Sequence, residues 1–339
     1  MELLTLDKFP SKVLAGIDVQ RAFLVSRLII AAESLQLFRA LHGKRMRAAA
    51  IGRALNLHET CVRPLLNSFV SLGLLHKKAD TYWNSRLAEK YFIKERSIYW
   101  TRQYSKECVR DYAALTVLEE ALVSGRSCAA IQGVNTPSYT ETMQRDRREA
   151  EDFTQMLFHF HHDDAEALAK HLDLSRRRAV LDVGGGSGVM SIALARKYPR
   201  LRACVLDLAT VCDVAAGNIK RARLSRRVTA RAGDIREALP TGYDVIMFCD
   251  IGRVTEQHLR NAYEALPAGG LVVAVDRYFS DDGTQPLDRL VSSFAGSSFP
   301  MATRTDMVAR LRSCDFGSVR AKKVHRDLWC ISGIKPVIL

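Results

Sequence analysis

The sequence predicts an α/β protein in which a mostly helical N-terminal module precedes a doubly wound parallel sheet. Three observations predict it. From Val180 onward, apolar runs of strand length alternate with segments of helical spacing, which puts helices on both faces of a parallel sheet. The run Val180-Leu181-Asp182-Val183-Gly184-Gly185-Gly186-Ser187-Gly188 reads as a buried strand feeding a turn too tight for side chains. Ahead of both, residues from about Ala22 to Phe92 carry amphipathic helical spacing broken by short loops. At 339 residues the chain is long enough for two cores.

Taken in order, Phe23, Leu24, Leu28, Ile29, Ala32, Leu35 and Phe38 mark one long amphipathic helix. After Gly43 come a helical segment Ala48 to Leu55, a break at Asn56-Leu57-His58, and a second helical segment Val62 to Leu75. Lys77 to Trp83 then reads as a turn between two short strands. That succession looks like a winged helix, and with a net charge of +13 it raises a DNA-binding regulator as one reading. Against it, the second helical segment has Arg63 as its only basic residue and is otherwise largely apolar, which suits burial against a partner better than a major groove. The remaining arginines are dispersed along the chain, as on a solvated surface, so no nucleic acid is expected as a partner.

Between Tyr91 and Arg178 the pattern is helical, with a loop at Gly125 to Ser138. Aromatic residues and histidines gather here, among them Tyr104, Tyr139, Phe153, His159, His161 and His162, just ahead of the glycine turn. Seven strands follow at Ala179–Val183, Ala203–Leu206, Val228–Ala232, Tyr243–Cys249, Leu271–Asp276, Ser318–Val324 and Leu328–Ile334. Hydrophobic content of 47% and charged content of 26% are ordinary for a soluble globular protein. No apolar run approaches the roughly 20 residues that span a bilayer, and the first residues lack a signal peptide's basic region and apolar core, so a cytoplasmic location is expected. Eight scattered cysteines without a C-x-x-C pair fit that location, and no metal site is expected.

The glycine spacing selects the ligand. A dinucleotide fold wants G-x-G-x-x-G to seat a pyrophosphate, whereas Gly184, Gly186 and Gly188 follow the acid Asp182 in a D-x-G-x-G-x-G pattern. Asp207 ends the next strand, where a carboxylate meets ribose hydroxyls. This resembles the first motif of class I S-adenosylmethionine-dependent methyltransferases, whose ligand carries an ammonium and a sulfonium instead of phosphates. Nearly the whole chain resembles the dimeric O-methyltransferase branch of that class. The likeness is carried further by Gly233-Asp234-Ile235 after the third strand, Phe153 and Met156 as an F-x-x-M pair, Pro267-Ala268-Gly269-Gly270 before the fifth strand, and Arg304-Thr305. It implies a winged-helix dimerisation domain over residues 1–95, a helical linker and substrate lid over 96–175, and a Rossmann-like seven-stranded methyltransferase domain over 176–339. It also implies a homodimer with S-adenosylmethionine as cofactor, held by Asp182, Gly184, Gly186, Asp207, Leu208, Asp234, Ile235, Cys249, Phe153 and Met156.

One departure bears on the reaction. O-methylating members carry a histidine base after the fourth strand in an L-H-D-W-like context, and the aligned residue in Phe248-Cys249-Asp250-Ile251-Gly252-Arg253 is Arg253. A guanidinium stays protonated at any working pH and cannot be that base. Three explanations compete: another base such as His159, His162 or Asp250, a fold retained without methyl transfer, or a nucleophile with no proton to lose. A thioether sulfur is such a nucleophile, and Arg253 would then clamp the carboxylate of a small acid, with Tyr139, Tyr104 and Phe294 offering aromatic faces to the cation. Ser97 to Tyr104 and the missing histidine look like the bacterial methylthiohydroxybutyrate S-methyltransferases of dimethylsulfoniopropionate synthesis. Phe248-Cys249 and the Ile251 to Gln257 stretch look similar to the bacteriochlorophyllide C-methyltransferases, which act on a large ring. The expectation is S-methylation of a small thioether acid, with O- or C-methylation of a larger natural product as the alternative.

Overall fold

The computed structural model describes residues 8–9, 11, 19–93, 106, 108–133, 139–286, 294 and 302–337. The chain divides into two compact units, Met1–Arg110 and Asp111–Leu339. Tyr104 and the whole Ser97 to Tyr104 stretch lie outside the described residues.

In the N-terminal unit the expected single long helix is two: α1 (Ala22–Ser34) and α2 (Leu37–Ala40). The break falls at Gln36, whose φ of 57° is left-handed and cannot continue a right-handed helix. Helices α3 (Ala48–Ala54) and α4 (Glu59–Ser71) and the strands β1 (Met46–Arg47), β2 (Leu75–Lys78) and β3 (Thr81–Asn84) follow, the strands forming an antiparallel sheet in the order β1-β3-β2. The α4 face carrying Val62, Leu66 and Phe69 is buried. Phe38 stacks on Phe92 at 4.3 Å and meets Phe69 edge-on at 5.3 Å, a pair geometry that adds to the area each ring buries. Arg63, the basic residue of this helix, is paired with Asp80 at 3.1 Å.

The second unit contains helices α5 (Tyr139–Arg145), α6 (Arg147–Phe160) and α7 (His162–His171) and then the alternating part. That part runs β4 (Ala179–Val183), α8 (Val189–Lys197), β5 (Arg202–Asp207), α9 (Ala209–Arg221), β6 (Val228–Ala232), β7 (Val245–Cys249), α10 (Glu256–Ala265), β8 (Leu271–Asp276), α11 (Arg304–Ser313), β9 (Gly317–His325) and β10 (Leu328–Ile334). All seven expected strands are present, in the order β6-β5-β4-β7-β8-β10-β9, parallel from β6 to β8 with β10 antiparallel to its two neighbours. The β7 strand begins at Val245 instead of Tyr243, because the Asp244 carboxylate accepts the backbone N–H groups of Arg178 and Ala179 at the mouth of the sheet.

Strand side chains alternate between two cores, one on each face. Val180, Val205, Met247 and Val273 join the core under α7 and α8, while Leu181, Leu206, Phe248 and Val272 join the one that contains Leu259 of α10 and Leu311 of α11. Burial on both faces explains why these strands read as continuous apolar runs. Strand order reverses between β4 and β7, and ligands of such sheets bind in the crevice that this reversal opens beyond the strands' carboxyl ends.

Candidate active site

The crevice begins at β4. Asp182 is fully buried, its Oδ2 accepts the Ser191 hydroxyl at 2.7 Å, and its Oδ1 has no hydrogen-bond partner. Burial, and then the charge of Asp207, push its carboxyl up to about 7. Above it the chain turns through Gly184 and Gly186 with φ of 67° and 52°, backbone that favours glycine. A side chain at Gly185 has no room: its Cβ would stand 2.6 Å from Asp182 Cγ.

Asp207 at the end of β5 faces this turn, accepting Gly186 N–H at 2.8 Å and Leu208 N–H at 2.7 Å. Its pKa is raised by burial, against which those two N–H groups work. Beyond β6, Asp234 is gripped by Arg236 at 2.9 and 3.0 Å, which holds its carboxyl down at about 2. A cavity of about 750 Å³ joins these groups, within the size range of a small-molecule site.

Of the residues expected at the cofactor, Gly184, Gly186, Asp207, Leu208, Asp234, Ile235, Cys249 and Phe153 line this cavity. Asp182 lies beneath its floor, and Met156 is buried on α6 without lining it. Tyr139 lines it as well, with its ring edge-on to Phe153 at 5.9 Å. Burial, then the charge of Asp207, raise the Tyr139 phenol, so this hydroxyl keeps its proton. A carboxylate for vicinal hydroxyls, the apolar Leu208 and Ile235 for a base, and a turn without side chains together suit a nucleoside with a charged tail.

The other end of the cavity holds two titratable side chains in contact, His161 and Asp250. Asp250 follows β7 with a left-handed φ of 50°, and His161 sits at the α6–α7 junction with 7% of its side chain exposed. His161 Nε2 is 2.9 Å from Asp250 Oδ2 and its Nδ1 is 3.2 Å from Asp164 Oδ2. Burial alone would lower this imidazole's pKa, but the hydrogen bonds to Asp164 and Asp250 outweigh it and leave the pKa raised. Asp164 is held far below the usual carboxylate range: burial opposes this, while His161, Arg277 and His325 bring it about.

Asp250 was expected as a possible base and lies in the cavity; His161 was not singled out. The histidines named as alternative bases, His159 and His162, are its neighbours, and the structure sends both elsewhere. His159 sits edge-on to Phe158, and His162, 3.2 Å from Glu166, lines a separate hollow between α7 and α8. Arg253 is exposed on the β7–α10 loop and is not among the residues that line the cavity. Phe294 is 39% exposed and also stands outside the lining. The i, i+3 spacing of His161 and Asp164 was the available signal. At the start of α10, Gln257, which closes the Ile251 to Gln257 stretch, and His258, which the sequence did not mark, also line the cavity. Among the described residues, no group of three His, Cys, Asp or Glu side chains is arranged to hold a metal ion, and no helix is long and apolar enough to cross a membrane.

Comparison with known proteins agrees with this geometry. Residues 116–310 match the O-methyltransferase domain and residues 17–94 the O-methyltransferase dimerisation domain. A 3-hydroxy-5-methyl-1-naphthoate 3-O-methyltransferase of Streptomyces sahachiroi is 29% identical over 282 residues, covering 81% of this chain and 80% of that one. The tetracenomycin polyketide synthesis 8-O-methyl transferase TcmO of Streptomyces glaucescens is 27% identical over 337 residues, 94% of this chain and 96% of its own. The solved structure of PigF with SAH superposes with a TM-score of 0.82 at 22% identity, over 94% of this chain and all of that one, a likeness of fold. With that domain matched over more than half of its 339 residues, the chain belongs to the class I, S-adenosylmethionine-dependent O-methyltransferase family that carries an N-terminal dimerisation domain.

Proposed function

We propose that this enzyme methylates a hydroxyl oxygen of a planar, hydroxylated small molecule, with Asp250 as the proton acceptor and His161 as the cation that holds it. The observation that carries the reading is the 2.9 Å contact between His161 Nε2 and Asp250 Oδ2 in the same cavity as the glycine turn. Asp207 would take the ribose hydroxyls of the donor, Leu208 and Ile235 would flank its adenine, and the turn at Gly184 to Gly186 would lie along its amino-acid end. When bound, S-adenosylmethionine supplies a methyl group on a positively charged sulfur. As the acceptor oxygen takes that methyl it becomes strongly acidic, and its proton passes to Asp250 within hydrogen-bond reach. The new bond is C–O, the broken one is S–C, and the proton ends on the carboxylate.

A small thioether acid fits less well. That reading needs Arg253 beside the acceptor's carboxylate, and Arg253 is exposed, outside the lining. Among the described residues the cavity carries Asp207, Asp234 and Asp250 against Arg236 and His161, and Arg236 is already committed to Asp234. Such a lining favours a cationic donor and a neutral acceptor over a second anion. Two of the relatives support oxygen as the acceptor atom, one named for 3-O-methylation of a hydroxynaphthoate and one for 8-O-methylation in tetracenomycin polyketide synthesis.

Mass spectrometry of products formed from methyl-labelled S-adenosylmethionine with a panel of phenols, hydroxy acids and thioether acids tests the proposal. A methyl ether from a phenol is the expected product. A dimethylsulfonium acid as the sole product would replace the proposal with sulfur chemistry. We also assign the working unit as a homodimer formed through the N-terminal unit, where Phe23 and Leu24 are exposed on α1. Sedimentation at twice 37.9 kDa is expected, and a monomeric mass would refute it.

A further inference from the structure

Asp164 joins the cavity to a second imidazole. Its Oδ2 receives Nδ1 of His161 at 3.2 Å and a guanidinium nitrogen of Arg277 at 2.6 Å, while its Oδ1 receives Nδ1 of His325 at 2.7 Å. Asp164 belongs to α7, Arg277 follows β8, and His325 ends β9, so three elements converge on one carboxylate whose side chain is only 4% exposed. His325 is 29% exposed and does not line the cavity. Other charges act on the cluster as well, Asp250 on Arg277 among them. His161 meets Asp164 and Asp250, with Arg277 close enough to repel it, and Arg277 also reaches Asp327 at 3.3 Å.

We propose that His325 is a positioning residue that sets, through the shared Asp164 carboxylate, how tightly His161 holds its proton. The proposal rests on the reading of Asp250 and His161 as the proton-handling pair. An ionised carboxylate only accepts hydrogen bonds, so the His325 nitrogen facing it is the donor. A donor on Oδ1 draws negative charge away from Oδ2, where His161 is held. If His325 carries a proton, its positive charge also repels the His161 imidazolium across the same carboxylate. Both effects have one sign: His325 loosens the proton on His161. The device sets the pH at which His161 gives up its cationic form, and it acts from a residue outside the cavity lining.

Ring-nitrogen NMR titration of His161 in the full-length protein is the test, with no acceptor needed. In His325→Ala the midpoint should rise by about half a pH unit or more, the size expected when a neighbouring donor or charge is removed. In His325→Lys, where the cation is permanent, it should fall below that of His325→Ala and not exceed the wild-type value. The high-pH limb of the kcat profile should move with the midpoint while KM for S-adenosylmethionine stays constant. No rise of the His161 midpoint in His325→Ala would overturn the proposal; if His325→Ala does not fold, a His161 midpoint in His325→Lys above the wild-type value does so. Full methyl transfer by Asp250→Asn would instead sink the reading on which the proposal rests, and the NMR midpoints would still report whether the two imidazoles are coupled.

Discussion

Asp250→Asn should slow methyl transfer to a hydroxyl acceptor by roughly 100- to 10,000-fold, the usual contribution of a positioned base, while the dissociation constant for S-adenosylmethionine stays within a few-fold. The asparagine carbonyl can still accept from His161 Nε2, which lies 2.9 Å from the carboxylate it replaces, so the local geometry survives. What disappears is an oxygen able to keep a proton. Arg253→Ala is the matched control. Its side chain is exposed and outside the cavity lining, and turnover should stay within about twofold, as for surface substitutions away from special features. Single-turnover rates and calorimetric titration with S-adenosylmethionine check both. The reverse outcome, a dead Arg253→Ala and an active Asp250→Asn, would return the enzyme to the thioether reading. The pH profile carries a further sign. The raised pKa of His161 means that its cationic form, which holds Asp250 in place, persists above the ordinary 6.5. Activity should therefore fall as pH climbs through that raised value, and His161→Gln should abolish the limb.

The sheet and the donor end of the cavity were legible in the chain because their physics is local. A strand buried on both faces must be apolar throughout, and a turn with no room for Cβ atoms must be glycine, so Val180 to Gly188 identifies itself. The proposed acceptor end was legible only at Asp250, because most of its partners are brought together by tertiary structure. His161, Asp164, Arg277 and His325 come from three separate elements, and helical periodicity gives no means of preferring His161 to His159 or His162. Their difference arises where α6 stops at Phe160 and the next ring swings inward. Arg253 was misplaced for a related reason. Alignment counts positions along the β7–α10 loop, but Asp250 and Gly252 both take left-handed φ values, 50° and 81°, and the turning backbone leaves Asp250 on the cavity and Arg253 in solvent. The break of the first helix at Gln36 has the same character: nothing in the apolar spacing of Phe23 to Phe38 announces a left-handed residue.

Two glycines one position apart in the donor turn should fail in opposite ways. At Gly185 an added Cβ would lie 2.6 Å from Asp182 Cγ, 2.8 Å from its Oδ2 and 3.0 Å from its backbone carbonyl. Neither neighbour can yield: the carbonyl belongs to the central strand β4, and the Asp182 side chain is fully buried and fixed by Ser191. Overpacking of this kind costs about 1–3 kcal/mol, equal to a Tm loss of roughly 2–12 °C for a unit of this size. At Gly186 an added Cβ meets nothing within 4 Å, and the penalty is confined to a φ of 52°, about 1–2 kcal/mol for an ordinary residue in that region. Yet Gly186 lines the cavity and its N–H reaches Asp207, so with the donor placed as proposed a methyl there would intrude on it. Gly185→Ala is therefore expected to lose more thermal stability without ligand, and Gly186→Ala to lose more of the Tm gain that S-adenosylmethionine confers, because stabilisation by a ligand follows its affinity for the folded state. Thermal unfolding of both variants with and without S-adenosylmethionine separates the two effects. Equal losses in the absence of ligand would show that Asp182 and the turn have slack that the 2.6 Å approach denies.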